Sequence, residues 1–155
     1  MAMRPDFEDA VEEILAEDRR YDREAYAFVR DALDHTVNML KKPRRRGPQR
    51  HVTGKELLEG IRVYAMQQFG PVTKLVLNSW GLARTADFGD IVFNLVNKGV
   101  LGKTDSDRKE DFHDAYDFDQ AFVKPYLAPA RPARTGTTAR ARPRGKQRTS
   151  VEKDK

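Results

Sequence analysis

Apolar residues recur at helical spacing in five successive segments of this 155-residue chain. In the first segment Phe7, Val11 and Ile14 fall on one face of a helix. The five segments are residues 6–18, 22–40, 53–69, 72–80 and 85–98. Because amphipathic helices bury such faces against one another, the chain is predicted to be mainly helical.

The third segment has the clearest helix boundaries. Thr53 and Glu56 have the spacing of a capping box, in which each side chain accepts a hydrogen bond from the other residue's backbone amide. A Gly-Pro pair that begins at Gly70 is typical of a helix end. In the last segment Thr85 is the expected N-cap and Gly99 the expected terminator.

The two helices before Gly99 differ in what they expose. The short segment 72–80 is predicted to turn Leu75, Val76 and Trp80 inward and to end at Gly81. The following helix is predicted to present polar residues outward, namely Asp87, Asp90, Asn94, Asn97 and Lys98. Carboxylates on this face would repel phosphates, so reading of DNA bases by this helix is disfavoured.

Beyond Gly99 the helical pattern stops. Phe112, Tyr116 and Phe118 alternate with acidic residues, which favours a short strand or extended edge that completes the core, and residues 119–123 suit a helical turn. A winged helix-turn-helix has this order of elements: a helix, a short helix, a turn, a helix and a hairpin-like segment. In this chain residues 100–118 would form the wing. Other small helical bundles share the first part of this order, so both architectures stay open.

The basic charge is segregated along the chain. The formal net charge is +5. Residues 41–50 carry six basic and no acidic side chains, and residues 123–155 carry ten basic and two acidic ones, whereas the remaining residues are net acidic. The C-terminal segment has few large apolar residues, so it is predicted to be disordered.

The expected organisation has four parts. They are an N-terminal helical pair (1–42), a basic loop (43–52), a winged-helix-like helical core (53–123) and a basic disordered tail (124–155). Arginine predominates in the two basic parts, and its guanidinium suits phosphate contact. The predicted phosphate contacts are Arg44, Arg45, Arg46, Arg50, Arg140, Arg142, Arg144 and Arg148.

These arginines predict a non-enzymatic binding protein whose partner is nucleic acid or a nucleoprotein, held without sequence preference. Two alternatives stay open. The folded surface and the acidic-aromatic edge would serve as a protein-interaction module while the tail only solubilises the chain. A purely solvated role of the basic segments is the other alternative.

Residues that would support catalysis or metal binding are scattered. His35, His51 and His113 lie on three different segments, no glycine-rich phosphate loop is present, and the chain has no cysteine. The acidic run around Asp114, Asp117 and Asp119 lacks the glycine and terminal glutamate of a calcium loop. The chain is therefore predicted to have no enzymatic activity, no cofactor and no metal.

The composition also bears on location. No apolar run approaches the roughly 18 residues that a membrane span needs, and the N-terminus lacks the hydrophobic region of a signal peptide. The absence of cysteine fits a reducing compartment. A cytoplasmic protein without membrane contact is predicted.

Several stretches of the chain together carry a family resemblance, namely residues 25–29, 51–61, 68–71, 80–81, 87–96, 101–104, 111–112 and 116–119. They resemble a family of uncharacterised bacterial proteins of the planctomycete and verrucomicrobial type. The resemblance covers roughly residues 8–123 and leaves out the arginine-rich tail. It implies a bacterial cytoplasmic setting and a single compact unit, and it brings no activity, cofactor or catalytic residue with it.

Overall fold

A computed structural model describes residues 6–41 and 51–127, and within these ranges the protein is mainly helical and contains no strand. The α-helices are α1 (Phe7–Glu17), α2 (Arg23–Lys41), α3 (Gly54–Phe69), α4 (Thr73–Ser79) and α5 (Thr85–Asn97). Short 3-10 helices span Gly70–Val72, Lys109–Phe112 and Lys124–Tyr126, and a π-helical turn spans Asp119–Val123. The predicted mainly helical class is confirmed.

The helix ends follow the sequence signals in α3. Thr53 Oγ1 accepts a hydrogen bond from the Glu56 amide at 3.1 Å, and the Glu56 carboxylate accepts one from the Thr53 amide at 3.0 Å. Gly70 ends the helix with φ of 56°, a backbone conformation that favours glycine. The predicted capping box and glycine stop are both confirmed.

The start of α5 differs from expectation. Thr85 is the first residue of the helix rather than its N-cap, and its buried hydroxyl accepts a hydrogen bond from the Ala115 amide at 3.1 Å. The Asp87 carboxylate takes the capping role instead, since its Oδ2 accepts the amides of Ala83 at 2.8 Å and Arg84 at 3.2 Å. A carboxylate also suits the positive end of the helix dipole.

A single cluster of buried side chains runs through all five helices and the segment after α5. α1 contributes Phe7, Val11 and Ile14, so the N-terminal helices share their core with the rest of the described residues. The largest fully buried side chains outside α1 include Tyr26, Leu33, Leu57, Ile61, Leu77, Phe88, Leu95, Phe112 and Phe122.

The prediction that α4 turns Leu75 inward is wrong. Leu75 is 70% exposed, while Thr73 and Leu77 face the core. Thr73 and Leu77 lie four residues apart on one side of α4, which leaves Leu75 on the opposite side. The Thr73 hydroxyl donates a hydrogen bond to the Gly70 carbonyl at 2.7 Å. Trp80, at the C-terminal end of α4, is partly buried against the core, as predicted.

The strand expected around residues 112–118 is also absent from the described chain. Phe112 ends a 3-10 turn, and Asp111 and Asp117 satisfy nearby backbone amides that a neighbouring strand would otherwise pair. Phe112 and Phe118 are both buried, so these aromatics complete the core as predicted, although they do so from turns. The wing of a winged helix-turn-helix is therefore not seen here.

Within residues 6–41 and 51–127, each helix is too short or too polar to span a bilayer.

Candidate functional site

All eight predicted phosphate contacts lie outside the described residues. They are Arg44, Arg45, Arg46, Arg50, Arg140, Arg142, Arg144 and Arg148. Residues 43–50 of the predicted basic loop (43–52) and residues 128–155 of the predicted tail (124–155) also lie outside the described residues. The phosphate contacts therefore stay predictions.

The folded part of the chain is acidic. Residues 6–41 and 51–127 carry 14 Lys and Arg against 22 Asp and Glu, a net charge of −8. Many of these cations lie 3.9 Å or less from a carboxylate, namely Arg20, Arg23, Arg30, Arg62, Lys74, Arg84, Lys98 and Lys109. The positive charge of the folded part is largely matched by its own carboxylates.

A network of polar side chains joins the α1–α2 turn to α5. We call it the polar cluster, and it consists of Asp18, Arg20, Tyr21, Asp87, Asp90 and Asn94. The Arg20 guanidinium donates to Asp18 Oδ2 at 2.7 Å and to Asp90 Oδ2 at 3.1 Å. Lys109 Nζ lies 3.0 Å from Asp90 Oδ1 and adds a second cation. The cluster therefore connects residues that are some 70 positions apart in the chain.

Tyr21 is at the centre of the polar cluster and is 4% exposed. Its hydroxyl lies 2.7 Å from Asp90 Oδ2 and 3.0 Å from Asp87 Oδ1, so one proton is shared between two carboxylates. Burial, and then the hydrogen bonds to the two carboxylates, raise the pKa of Tyr21 far above its ordinary value. The phenol stays neutral and acts as a hydrogen-bond donor.

Two carboxylates of the polar cluster, those of Asp18 and Asp90, are held ionised. The hydrogen bond from Arg20 outweighs the opposing effect of burial and keeps the pKa of Asp18 well below its usual range. Burial works to raise the pKa of Asp90, but hydrogen bonds from Tyr21 and Lys109 prevail and leave that pKa below its usual value. Asn94 Nδ2 contributes a further donor to Asp18 at 3.2 Å.

This pattern predicts acid sensitivity. A carboxylate whose pKa is lower in the folded than in the unfolded chain stabilises the fold above the unfolded pKa of about 3.9, and this stabilisation is lost as the pH falls through the folded pKa. We expect the free energy of unfolding of the native protein to exceed that of Asp18→Asn at pH 6. The difference should shrink as the pH is lowered below about 4.

Urea unfolding followed by circular dichroism between about pH 6 and pH 2.5 measures this difference. Asp105→Asn, at an exposed position in a turn, is the matched control and should give a small offset that hardly changes with pH. A constant offset for Asp18→Asn down to the lowest pH would contradict the expectation.

The polar cluster also covers the face of α5 that was expected to point outward. Asp87 is 8% exposed and Asp90 has a side-chain exposure of 17%. The expectation that these two carboxylates face solvent is wrong, because Tyr21 and Arg20 lie against them. This part of α5 is engaged within the molecule.

An acidic groove of about 420 Å³ lies between the start of α3 and the turns that follow α5. Its lining includes Lys55, Glu59, Glu110, Asp111, His113 and Asp114. At its inner side the Tyr116 hydroxyl donates to the Leu58 carbonyl at 2.9 Å, and burial raises the pKa of Tyr116. Four carboxylates against one lysine make the groove unsuited to phosphate.

The histidines and the acidic run do not form a metal site in the described residues, where no group of three or more potential ligands converges. His51 Nε2 lies 2.9 Å from the buried Asp107 carboxylate and ties the start of α3 to a later turn. Asp117 caps the turn that follows it, and Asp119 pairs with Lys74 at 2.7 Å. These contacts give Asp107, Asp117 and Asp119 structural roles, and the predicted absence of a metal stays a prediction.

Sequence reasoning missed the polar cluster. The available signal was a polar Asp-Arg-Arg-Tyr run beginning at Asp18 between two helices, together with Asp87 and Asp90 three residues apart. Only the packing of α1 and α2 against α5 brings the two sets together.

Comparisons with models of protein families, with curated proteins and with solved structures found no match for this chain. The function proposed for the chain therefore depends on its geometry and its charge distribution.

Proposed function

We propose that this chain is a non-enzymatic binding protein of the bacterial cytoplasm that associates with nucleic acid or a nucleoprotein. The contacts are made by Arg44, Arg45, Arg46 and Arg50 in the basic loop and by Arg140, Arg142, Arg144 and Arg148 in the tail. They bind phosphates and contribute affinity without sequence preference. No cofactor or metal takes part.

One observation carries the proposal, namely the separation of charge. The described residues have a net charge of −8, whereas the whole chain has a net charge of +5. The basic excess therefore belongs to residues 42–50 and 128–155, with one further arginine near the N-terminus. A polyanion would be repelled by the folded part and attracted by these two segments.

The folded part has a supporting role in this proposal. Helices α4 and α5 are joined through Gly81, which has φ of 93°. In this proposal they are the two helices of a helix-turn-helix. With Asp87 and Asp90 engaged by Tyr21, the second helix acts as a structural element instead of reading bases.

Salt-dependent binding tests the proposal. Fluorescence anisotropy of labelled random-sequence duplex DNA and single-stranded RNA gives Kd between about 50 and 200 mM salt. For duplex DNA, the slope of log Kd against the logarithm of the salt concentration should fall by about 3 to 4 when the four loop arginines are replaced by glutamine. Each duplex phosphate contact contributes about 0.9 to this slope. Deleting residues 128–155 should reduce it further.

Lys103→Gln and Lys124→Gln, at exposed positions of the folded part, are the matched controls and should leave the slope nearly unchanged. Binding that does not respond to salt, or that survives both changes, would overturn the proposal. Partner capture that persists after nuclease treatment and tail deletion would instead favour a protein-interaction module.

A further inference from the structure

One stretch of the basic tail places a glycine between two basic side chains. We call residues 142–146 the RPRGK segment, after their sequence. Gly145 is the one glycine of the chain with a basic residue on each side, namely Arg144 and Lys146. The surrounding residues 140–148 carry five basic and no acidic side chains. The RPRGK segment lies outside the residues that the structure describes.

This order of residues suits a chain that lies at the bottom of a narrow groove. Gly145 has no Cβ, so its backbone can approach a surface closely. Pro143 fixes its own φ and disfavours the helical region for the residue before it, which favours an extended chain. The side chains of Arg144 and Lys146 can then reach along the groove on the two sides of Gly145.

A narrow groove of negative potential is a property of A·T-rich DNA. The minor groove of B-form DNA is about 6 Å wide, against about 12 Å for the major groove. It is narrowest in A-tracts, where the stronger negative potential attracts arginine and lysine. A G·C pair adds an amino group to the floor of this groove, where it would obstruct the backbone of Gly145. Duplex RNA has a wide and shallow minor groove, so it fits the segment less well.

The folded part offers little for the recognition of unpaired bases. All tryptophan, tyrosine and phenylalanine side chains of the chain lie within the described residues, where Tyr126 is the one that is exposed, at 42%. Stacking of single-stranded bases on aromatic side chains therefore has little support. On α5, Asp87 and Asp90 are engaged by the Tyr21 hydroxyl. These observations favour a duplex and assign its base contacts to the tail.

The chain leaves the folded part at its surface and with enough length to reach a duplex. Leu127, the last residue described before the tail, is 61% exposed. Residues 128–141 separate it from the RPRGK segment, and an extended chain of this length spans up to about 50 Å. The folded part, of net charge −8, can therefore stay well beyond the Debye length of about 8 Å from the phosphates.

We infer that the RPRGK segment binds in the minor groove of A·T-rich duplex DNA. This inference rests on the proposed binding of nucleic acid by the tail and goes beyond it, because phosphate contacts alone carry no preference for base composition. Arg144 contacts the groove in place of a phosphate, and the other arginines of the tail keep their phosphate contacts. The preference is for A·T content and not for one base order, since A·T and T·A pairs present the same acceptors in this groove.

Binding of the full chain to two labelled duplexes tests the inference. The duplexes have equal length and identical ends, and one has a central A-tract where the other has a central G·C tract. Fluorescence anisotropy at one fixed salt concentration should give a Kd about 5- to 10-fold lower for the A-tract duplex. Netropsin, which occupies A·T minor grooves, should remove this difference.

Two glycine variants of equal charge separate groove binding from phosphate binding. Gly145→Leu adds a side chain where the backbone meets the groove floor and should reduce the preference to less than about 2-fold, with little change in Kd for the G·C duplex. Gly136→Leu, in the same tail but without basic neighbours, is the matched control and should keep the full preference.

The results that would overturn the inference are distinct from those that would overturn the proposed function. Equal Kd values for the two duplexes, or a preference that Gly145→Leu retains, would overturn the inference alone, because both duplexes carry the same phosphates. Tighter binding to the single strands than to the A-tract duplex would do the same. Failure to bind either duplex in a salt-dependent way would overturn the inference together with the proposed function.

Discussion

Gly60→Ala is expected to lower the free energy of unfolding by about 2 to 3 kcal/mol, although alanine is the better helix former by about 1 kcal/mol. A Cβ atom at position 60 would lie 1.8 Å from Thr36 Oγ1 and 2.8 Å from Thr36 Cβ. Thr36 cannot move away freely because it is buried and its hydroxyl donates to the Ala32 carbonyl at 2.7 Å. Helices α2 and α3 would have to separate.

Urea unfolding of the variant measures this loss. A double variant, Gly60→Ala with Thr36→Gly, should recover part of it, because the added methyl group then takes the space of the removed side chain. Gly70→Ala is the control for backbone strain alone, since no atom lies within 4 Å of its Cβ position and φ is 56°. A Gly60→Ala variant as stable as the native protein would show that the helices do not approach this closely.

Asp87→Ala is expected to cost about 3 to 4 kcal/mol, because several donors lose their acceptor together. The carboxylate accepts the Ala83 and Arg84 amides at the start of α5 and lies 3.0 Å from the Tyr21 hydroxyl. Since Asp87 is 8% exposed, water cannot easily replace it. The loss should appear both in urea unfolding and as faster hydrogen exchange of these two amides.

Two further variants serve as the control and the coupling test for Asp87→Ala. Asp111→Ala removes a similar cap, on the Arg108 amide, at a less buried position and should cost no more than about 1 kcal/mol. Tyr21→Phe should be coupled to Asp87→Ala in a double-mutant cycle, because both remove the same hydrogen bond. Additive losses, or equal costs for Asp87→Ala and Asp111→Ala, would contradict a connected cluster.

The helices could be predicted because their signals are local. Apolar spacing, the Thr53–Glu56 capping box and the glycine at position 70 all act within one or two helical turns. In the fourth helix, local signals do not decide which side is buried. Leu75 and Leu77 are both apolar, and the side of α4 that packs on the core decides that Leu77 is buried and Leu75 is exposed.

Of the candidate sites, too, one is evident from the local sequence and another is formed only by tertiary packing. The arginines of the basic loop and tail are evident from composition alone, and their role stays a prediction because they lie outside the described residues. The polar cluster could not be predicted. It combines side chains of the α1–α2 turn with side chains of α5, and Tyr21 and Asp87 are separated by 66 positions.

By itself the sequence determined the mainly helical class, the ends of α3 and the separation of basic from acidic charge, since each depends on neighbouring residues or on simple counts. The tertiary structure decided that Asp87 is buried, that Leu75 is exposed and that the aromatics near residue 112 pack from turns. These outcomes depend on which surfaces meet, and burial converts an ordinary surface carboxylate into a hydrogen-bonded part of the core.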